Sequence, residues 1–179
     1  MPGDPMDNRF FVRQFDEADA AQVQDLFVRV NRLLAPPELK DAFETYIASS
    51  RRQEIDKISE YYEERNGSFW VATVDATIVG MFGLEQSGPE AMELRRMYVN
   101  PDRRRQGIAR KMLQFAEDHC RAENVHRLDL STSEIQSDAL SFYQGAGFDL
   151  VREETADVAS NKTIGGGINR YYFKKDLRA

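Results

Sequence analysis

Residues 92–113 read MELRRMYVNPDRRRQGIARKML. The apolar and aromatic weight of Leu94, Met97, Tyr98 and Val99 predicts a strand over Met92–Val99. Asn100-Pro101 ends it, because proline has no N–H for the ladder and biases its predecessor away from helix. Beyond the turn, Ile108, Met112, Leu113, Ala116 and Cys120 recur at helical spacing and predict a helix over 104–122. The link between the two is basic and carries a glycine, Arg103-Arg104-Arg105-Gln106-Gly107. Unpaired N–H groups and the positive end of the helix dipole make such a start a natural anion site, above all for phosphate.

Downstream, His126–Leu130 reads as a short strand, so 92–130 forms a β-α-β unit whose two strands are parallel neighbours. Glu134–Gln144 is a helix ended by Gly145 or Gly147. Phe148–Glu153 and Ile168–Lys175 are strands separated by a polar loop over Thr155–Gly167. Upstream, Phe10–Phe15 is a first strand, and Asp16 or Asp19 caps a helix with Val23, Leu26, Phe27, Val30 and Leu34 along one face. Pro36-Pro37 starts a second helix bearing Leu39, Phe43, Tyr46 and Ile47. Arg51–Arg65 is a continuing or third helix with Ile55, Ile58, Tyr61 and Tyr62 on one side. Ser68–Val74 and Thr77–Leu84 are strands joined by a tight turn at Asp75-Ala76, with Gly80 and Gly83 marking bulges or close backbone approach. The sum is one α/β domain over 1–179, core about 9–176, with a mixed, mostly antiparallel sheet and helices on both faces.

Composition narrows the function. A chain of 179 residues holds one sizeable core. Its net charge of −6 disfavours wholesale nucleic-acid binding, and the arginine cluster then stands out as a local basic site. No apolar run approaches membrane-spanning length, and the first ten residues lack the pattern of a secretory leader. One cysteine excludes an internal disulfide framework and suits a reducing cytoplasm; two histidines far from it give no zinc-ligand spacing, so no metal is expected.

Arg104-x-x-Gly107-x-Ala109, following a strand that ends Met97-Tyr98-Val99, resembles the acetyl-CoA signature of the GCN5-related N-acetyltransferases. About thirty residues on, Ala139-Leu140-Ser141-Phe142-Tyr143-Gln144-Gly145-Ala146-Gly147-Phe148 resembles that family's second signature. The element order also matches from Phe11 to about Lys174. The resemblance implies a central parallel strand pair that splays apart, and acetyl-CoA as cosubstrate. It implies that the N–H groups of Arg105, Gln106, Gly107, Ala109 and Arg110, around Ile108, face the pyrophosphate. Met97, Tyr98 and Val99 line the thioester and pantetheine, with the Met97 N–H toward the oxyanion and the Val99 backbone pairing like an added strand.

The same resemblance makes Tyr143 the acid that protonates the leaving thiolate. It makes Glu93, six residues before Val99 and on the same strand parity as Met97 and Val99, the base for the incoming amine. Relayed water is the open alternative to Glu93, and a packed core tyrosine the alternative for Tyr143. Gln136 stands where the family often has an asparagine that contacts pantetheine.

The acceptor is then a primary amine of a small molecule or peptide. The resemblance implies that Leu33–Lys40 and Asp157–Gly167 frame its mouth, where Tyr46, Tyr61 and Tyr62 are expected to add aromatic contacts. The acidic charge leans toward polyamines, basic peptide ends or aminoglycosides. Arg95 and Arg96, adjacent on a strand, are expected on opposite faces, so that at most one reaches the cleft. Cys120 reads as a buried small hydrophobe, His119 and His126 as surface or capping groups, and Gly165–Gly167 as a flexible entry to the last strand. A homodimer stays open, as does a non-catalytic acyl-CoA sensor on the same fold.

Overall fold

The computed structural model describes residues 9–158, 160 and 162–178. Seven strands form one sheet: β1 (Phe10–Gln14), β2 (Ser68–Val74), β3 (Thr77–Gly88), β4 (Ala91–Val99), β5 (Arg127–Ser133), β6 (Asp149–Ala156) and β7 (Ile168–Asp176). Their spatial order is β1-β2-β3-β4-β5-β7-β6, and every pairing is antiparallel except β4 with β5. Five helices pack on it: α1 (Ala20–Leu34), α2 (Lys40–Gln53), α3 (Ile58–Glu64), α4 (Ile108–Ala122) and α5 (Ser137–Gly145).

The helices divide the core in two. On the α1–α3 side, Val23, Phe27, Phe43, Ile55, Tyr62, Phe69, Val71, Met81 and Tyr98 pack together. On the α4 side, Phe82, Leu84, Leu94, Met112, Leu113, Ala116, Leu128 and Phe173 do so. Cys120 lies in the second cluster, where burial first and the Glu117 charge second push its thiol up to about 12. Among the described residues, no helix is long and apolar enough to cross a membrane.

Several local expectations are sharpened. Asp16 is the cap: its carboxylate accepts from the Ala18 N–H, while Asp19 reaches back to the Asp16 N–H and pairs with Arg13 at 2.7 Å. The charged run after α2 is a separate third helix, because the chain turns at Glu54 (φ −143°, ψ −60°) before α3 begins. Helix α4 starts at Ile108, not 104: Arg105 (φ 63°) and Gly107 (φ 77°) are left-handed, so the arginines sit in the turn itself. His126 does have a partner, Glu90, at 3.0 Å, and His119 stacks on Phe115.

Glycine at 83 answers to a close approach. A Cβ there would overlap the ring and hydroxyl of Tyr62, which is only 2% exposed. Gly83→Ala is therefore expected to cost about 1–3 kcal/mol through overpacking, read as a lower urea midpoint at unchanged m-value. The Cys120 thiol should stay unreactive toward a thiol reagent at pH 8 until the chain is unfolded; rapid labelling of the native protein would contradict the burial.

Candidate active site

Strands β4 and β5 start in register, Ala91 opposite Arg127 through Leu94 opposite Leu130, and then separate. Past Leu94, β4 keeps only β3 as a partner, with Tyr98 opposite Met81 and Val99 opposite Gly80. Past Leu130, β5 keeps only β7. The edge of β4 from Met97 to Val99 is thus open toward the gap, as an added strand requires.

The separation coincides with a bulge. Arg95 pairs with Gly83 and Tyr98 with Met81, so Phe82 stands opposite both Arg96 and Met97. Arg96 takes φ 55°, a left-handed conformation that costs a residue with a Cβ roughly 1–2 kcal/mol. The extra residue reverses side-chain alternation. Leu94 packs on the α4 side and Tyr98 on the α1–α3 side, although both fall on one parity.

Two expectations fall with that parity. Arg95 and Arg96 are not on opposite faces; both reach the same carboxylate, Glu54. Glu93 and Met97 are likewise divided by the bulge, so the parity argument linking Glu93 to Met97 and Val99 does not hold. Glu93 reaches the cavity on its own terms, described below.

Glu54 is fully buried at the break between α2 and α3. Its Oε1 accepts from Arg95 at 2.8 Å and Arg96 at 3.0 Å. Its Oε2 accepts from Arg96 Nε at 3.1 Å and from the Tyr62 hydroxyl at 2.7 Å. Arg96 also donates to the Tyr46 hydroxyl at 2.6 Å, and Arg95 to Glu85 at 2.5 Å. Burial alone would push the Glu54 carboxyl up, but the charges of Arg96 and Arg95 outweigh it and hold it below its ordinary value. Removing one partner of such a buried, hydrogen-bonded set typically costs about 3–5 kcal/mol. Sequence reading passed over Glu54. The signal was a carboxylate within the apolar stripe Ile47, Glu54, Ile58, Tyr61.

A cavity of about 90 Å³ opens where the strands part. Glu93 to Tyr98 of β4, Leu130 to Ser133 of β5, Gln136 and Tyr143 line it, with Leu34, Tyr46, Lys162 and Ile164 from the helical and loop side. Both expected framing segments contribute. Tyr46 does line the cavity, whereas Tyr61 and Tyr62 are 3% and 2% exposed within the core and do not. Adjoining it, a wider cleft of about 450 Å³ shares Glu93, Leu130, Ser131, Lys162 and Arg170 and adds Asp129, Arg152 and Tyr172. Its walls carry both signs of charge, which removes the simple lean toward polycations.

The remaining candidates fall into two groups. Tyr143, half-buried on α5, points its hydroxyl at the Met97 sulfur, 3.7 Å away. Burial first, then the neighbouring Tyr98, push the phenol well above its ordinary value. Glu93 lines the same cavity, 3.3 Å from the Lys162 ammonium. Gln136 precedes α5 and accepts from the Thr132 hydroxyl at 2.6 Å, so its amide is oriented at the cavity wall. Arg104, Arg105, Gln106, Gly107, Ile108, Ala109 and Arg110 form the turn into α4. The N–H groups of residues 105–110 have no backbone acceptor among the described residues. A Cβ at Gly107 would meet nothing within 4 Å, so the glycine answers to its positive φ and to open approach. Among the described residues, no group of three or more His, Cys, Asp or Glu is arranged to hold a metal.

Known proteins share the fold. N-acetyltransferase family 8 member 2 of Rattus norvegicus is 31% identical over 137 residues, covering 74% of this chain and 59% of that protein. The chain spans about half the length of the curated relatives it matches. A GNAT-family acetyltransferase from Staphylococcus aureus Mu50 superposes with a TM-score of 0.71 at 19% identity, covering 94% of this chain and 99% of that one. PaiA N-acetyltransferase from Thermoplasma acidophilum, solved with coenzyme A, superposes at 0.70 and 19% identity, covering 93% and 98%. The model of the Acetyltransferase (GNAT) family matches residues 35–148, well over half the chain, and the protein belongs to that family.

Proposed function

We propose that the chain transfers an acetyl group from acetyl-CoA to a primary amine by direct attack in a ternary complex. The observation that carries this is the parting of β4 from β5, with Glu93 and Tyr143 both lining the cavity found there. The relatives' names as N-acetyltransferases and the coenzyme A bound by PaiA support it.

The pyrophosphate of coenzyme A rests on the free N–H groups of residues 105–110, aided by the dipole of α4. Pantetheine runs along the open edge of Val99 and past Gln136 to bring the thioester to Met97. The acceptor arrives as an ammonium, which has no lone pair for attack, and Glu93 takes its proton directly or through one water. The amine nitrogen then bonds to the thioester carbon, and the carbonyl electrons move onto oxygen, where the Met97 N–H donates to the oxyanion. Collapse breaks the carbon–sulfur bond; the departing thiolate takes the Tyr143 proton, and the second proton lost by the nitrogen passes through water to the Tyr143 phenolate, leaving a neutral amide and a restored tyrosine. Lys162 pairs with Glu93 at the loop side of the cavity. No metal enters this scheme. The single buried cysteine suits the reducing cytoplasm in which acetyl-CoA is abundant.

The test is thiol release from acetyl-CoA across a panel of primary amines. Amine-dependent release is expected; coenzyme A binding without release from any amine would favour a sensor. Tyr143→Phe should lower kcat by about 10²-fold with KM for acetyl-CoA nearly unchanged. Gly107→Glu should abolish acetyl-CoA binding by calorimetry, since it brings a like charge to the phosphates. Because the Tyr143 phenol is shifted upward, it keeps its proton beyond its ordinary range. The wild-type rate should therefore rise as the amine deprotonates and show no alkaline decline up to about pH 10. A falling limb near pH 8 that Tyr143→Phe removes would contradict the upward shift of the phenol, and full wild-type turnover in Tyr143→Phe across this pH range would sink the acid assignment.

A further inference from the structure

The scheme depends on the backbone at Met97, and the residue before it sits in a conformation that its side chain does not favour. Arg96 is left-handed (φ 55°) where the strand bulges. What reaches it from elsewhere is Glu54, 42 residues away in sequence and fully buried. Both oxygens of that carboxylate hold the Arg96 guanidinium in a two-point fork, at 3.0 and 3.1 Å, and the Tyr46 hydroxyl takes a third N–H. The neighbouring Arg95 is drawn to the same oxygen, so two consecutive side chains point into one face. A regular strand would send them to opposite faces. The bulge and the shared carboxylate therefore require each other.

We propose that Glu54 is a positioning residue for acetyl transfer: by clamping Arg95 and Arg96 it fixes the β4 bulge, and with it the aim of the Met97 N–H. This rests on the acetyltransferase reading of the site. Glu54 touches neither substrate nor cofactor. It acts through the backbone, and its loss should reach kcat more than cofactor affinity, because the pyrophosphate turn at 105–110 lies beyond Val99 and is built separately.

Three variants test the clamp. Glu54→Gln should lower kcat at least tenfold while KM for acetyl-CoA stays within threefold. Adding Arg96→Gly restores the local charge balance and supplies a residue that takes positive φ without strain. That double variant should recover kcat to within threefold of wild type. Glu54→Gln with Arg96→Met restores the charge balance but not the backbone freedom; it should regain thermal stability and leave kcat low. Equal recovery with methionine and glycine would overturn the clamp in favour of simple charge compensation, and so would wild-type kcat in Glu54→Gln. If Glu54→Gln alone does not fold, the two neutral double variants carry the comparison. A readout independent of turnover is the Met97 amide resonance in ¹⁵N-labelled protein. It should move in Glu54→Gln, where residue 96 is unchanged, and an unmoved resonance would refute the clamp. A wild-type protein that acetylates no amine would instead overturn the functional reading, and the Met97 resonance would still decide the clamp.

Discussion

Strands β4 and β5 are paired from Ala91–Arg127 to Leu94–Leu130, and past that point each keeps only its outer neighbour. A parallel pair in the middle of a sheet would ordinarily run on, because an unpaired N–H or carbonyl inside a protein is costly. Here the chain turns out of register at Arg96, and a cavity lined by Glu93, Met97, Gln136 and Tyr143 takes the place of the missing ladder. The two halves of the core, one under α1–α3 and one under α4, hold the strands from either side of that gap. The backbone groups exposed in it are the ones a cofactor arm can satisfy.

Charge follows the same geometry. The protein carries a net −6, yet the turn entering α4 is arginine-rich and exposes backbone N–H groups to an anion. Deeper in, Arg95 and Arg96 are neutralised within the core by Glu54 and Glu85, so they shape the strand without drawing anions to the cavity. Glu93 and Lys162 pair with each other at the more exposed rim of the cavity. One set of ion pairs lies in the core and the other lines the cleft.

Much of this was legible in the residues. The alternation of apolar runs gave each strand, and Pro101, Gly107 and the tyrosine at 143 marked the turn, the helix start and the second signature. Local rules suffice where local residues decide the backbone. They failed at Arg96, where nothing in the strand's own composition announces a left-handed arginine; the conformation is set by a carboxylate from another element. That single bulge reversed the expected faces of Arg95 and Arg96 and broke the parity that tied Glu93 to Met97. The start of α4 was misjudged for a related reason, since positive φ at Arg105 and Gly107 delays the helix to Ile108. Tyr61 and Tyr62 were assigned to the mouth because aromatic side chains on an amphipathic helix fit either a core or a ligand; packing against Glu54 and Phe69 decided for the core.

A crystal structure of the chain with bound coenzyme A tests the central claim most directly. The account predicts the pyrophosphate on the N–H groups of residues 105–110, pantetheine alongside Val99 in the gap between β4 and β5, and the sulfur between the Met97 amide and the Tyr143 hydroxyl. Coenzyme A bound elsewhere, or in the gap with its sulfur turned away from Tyr143, would contradict it.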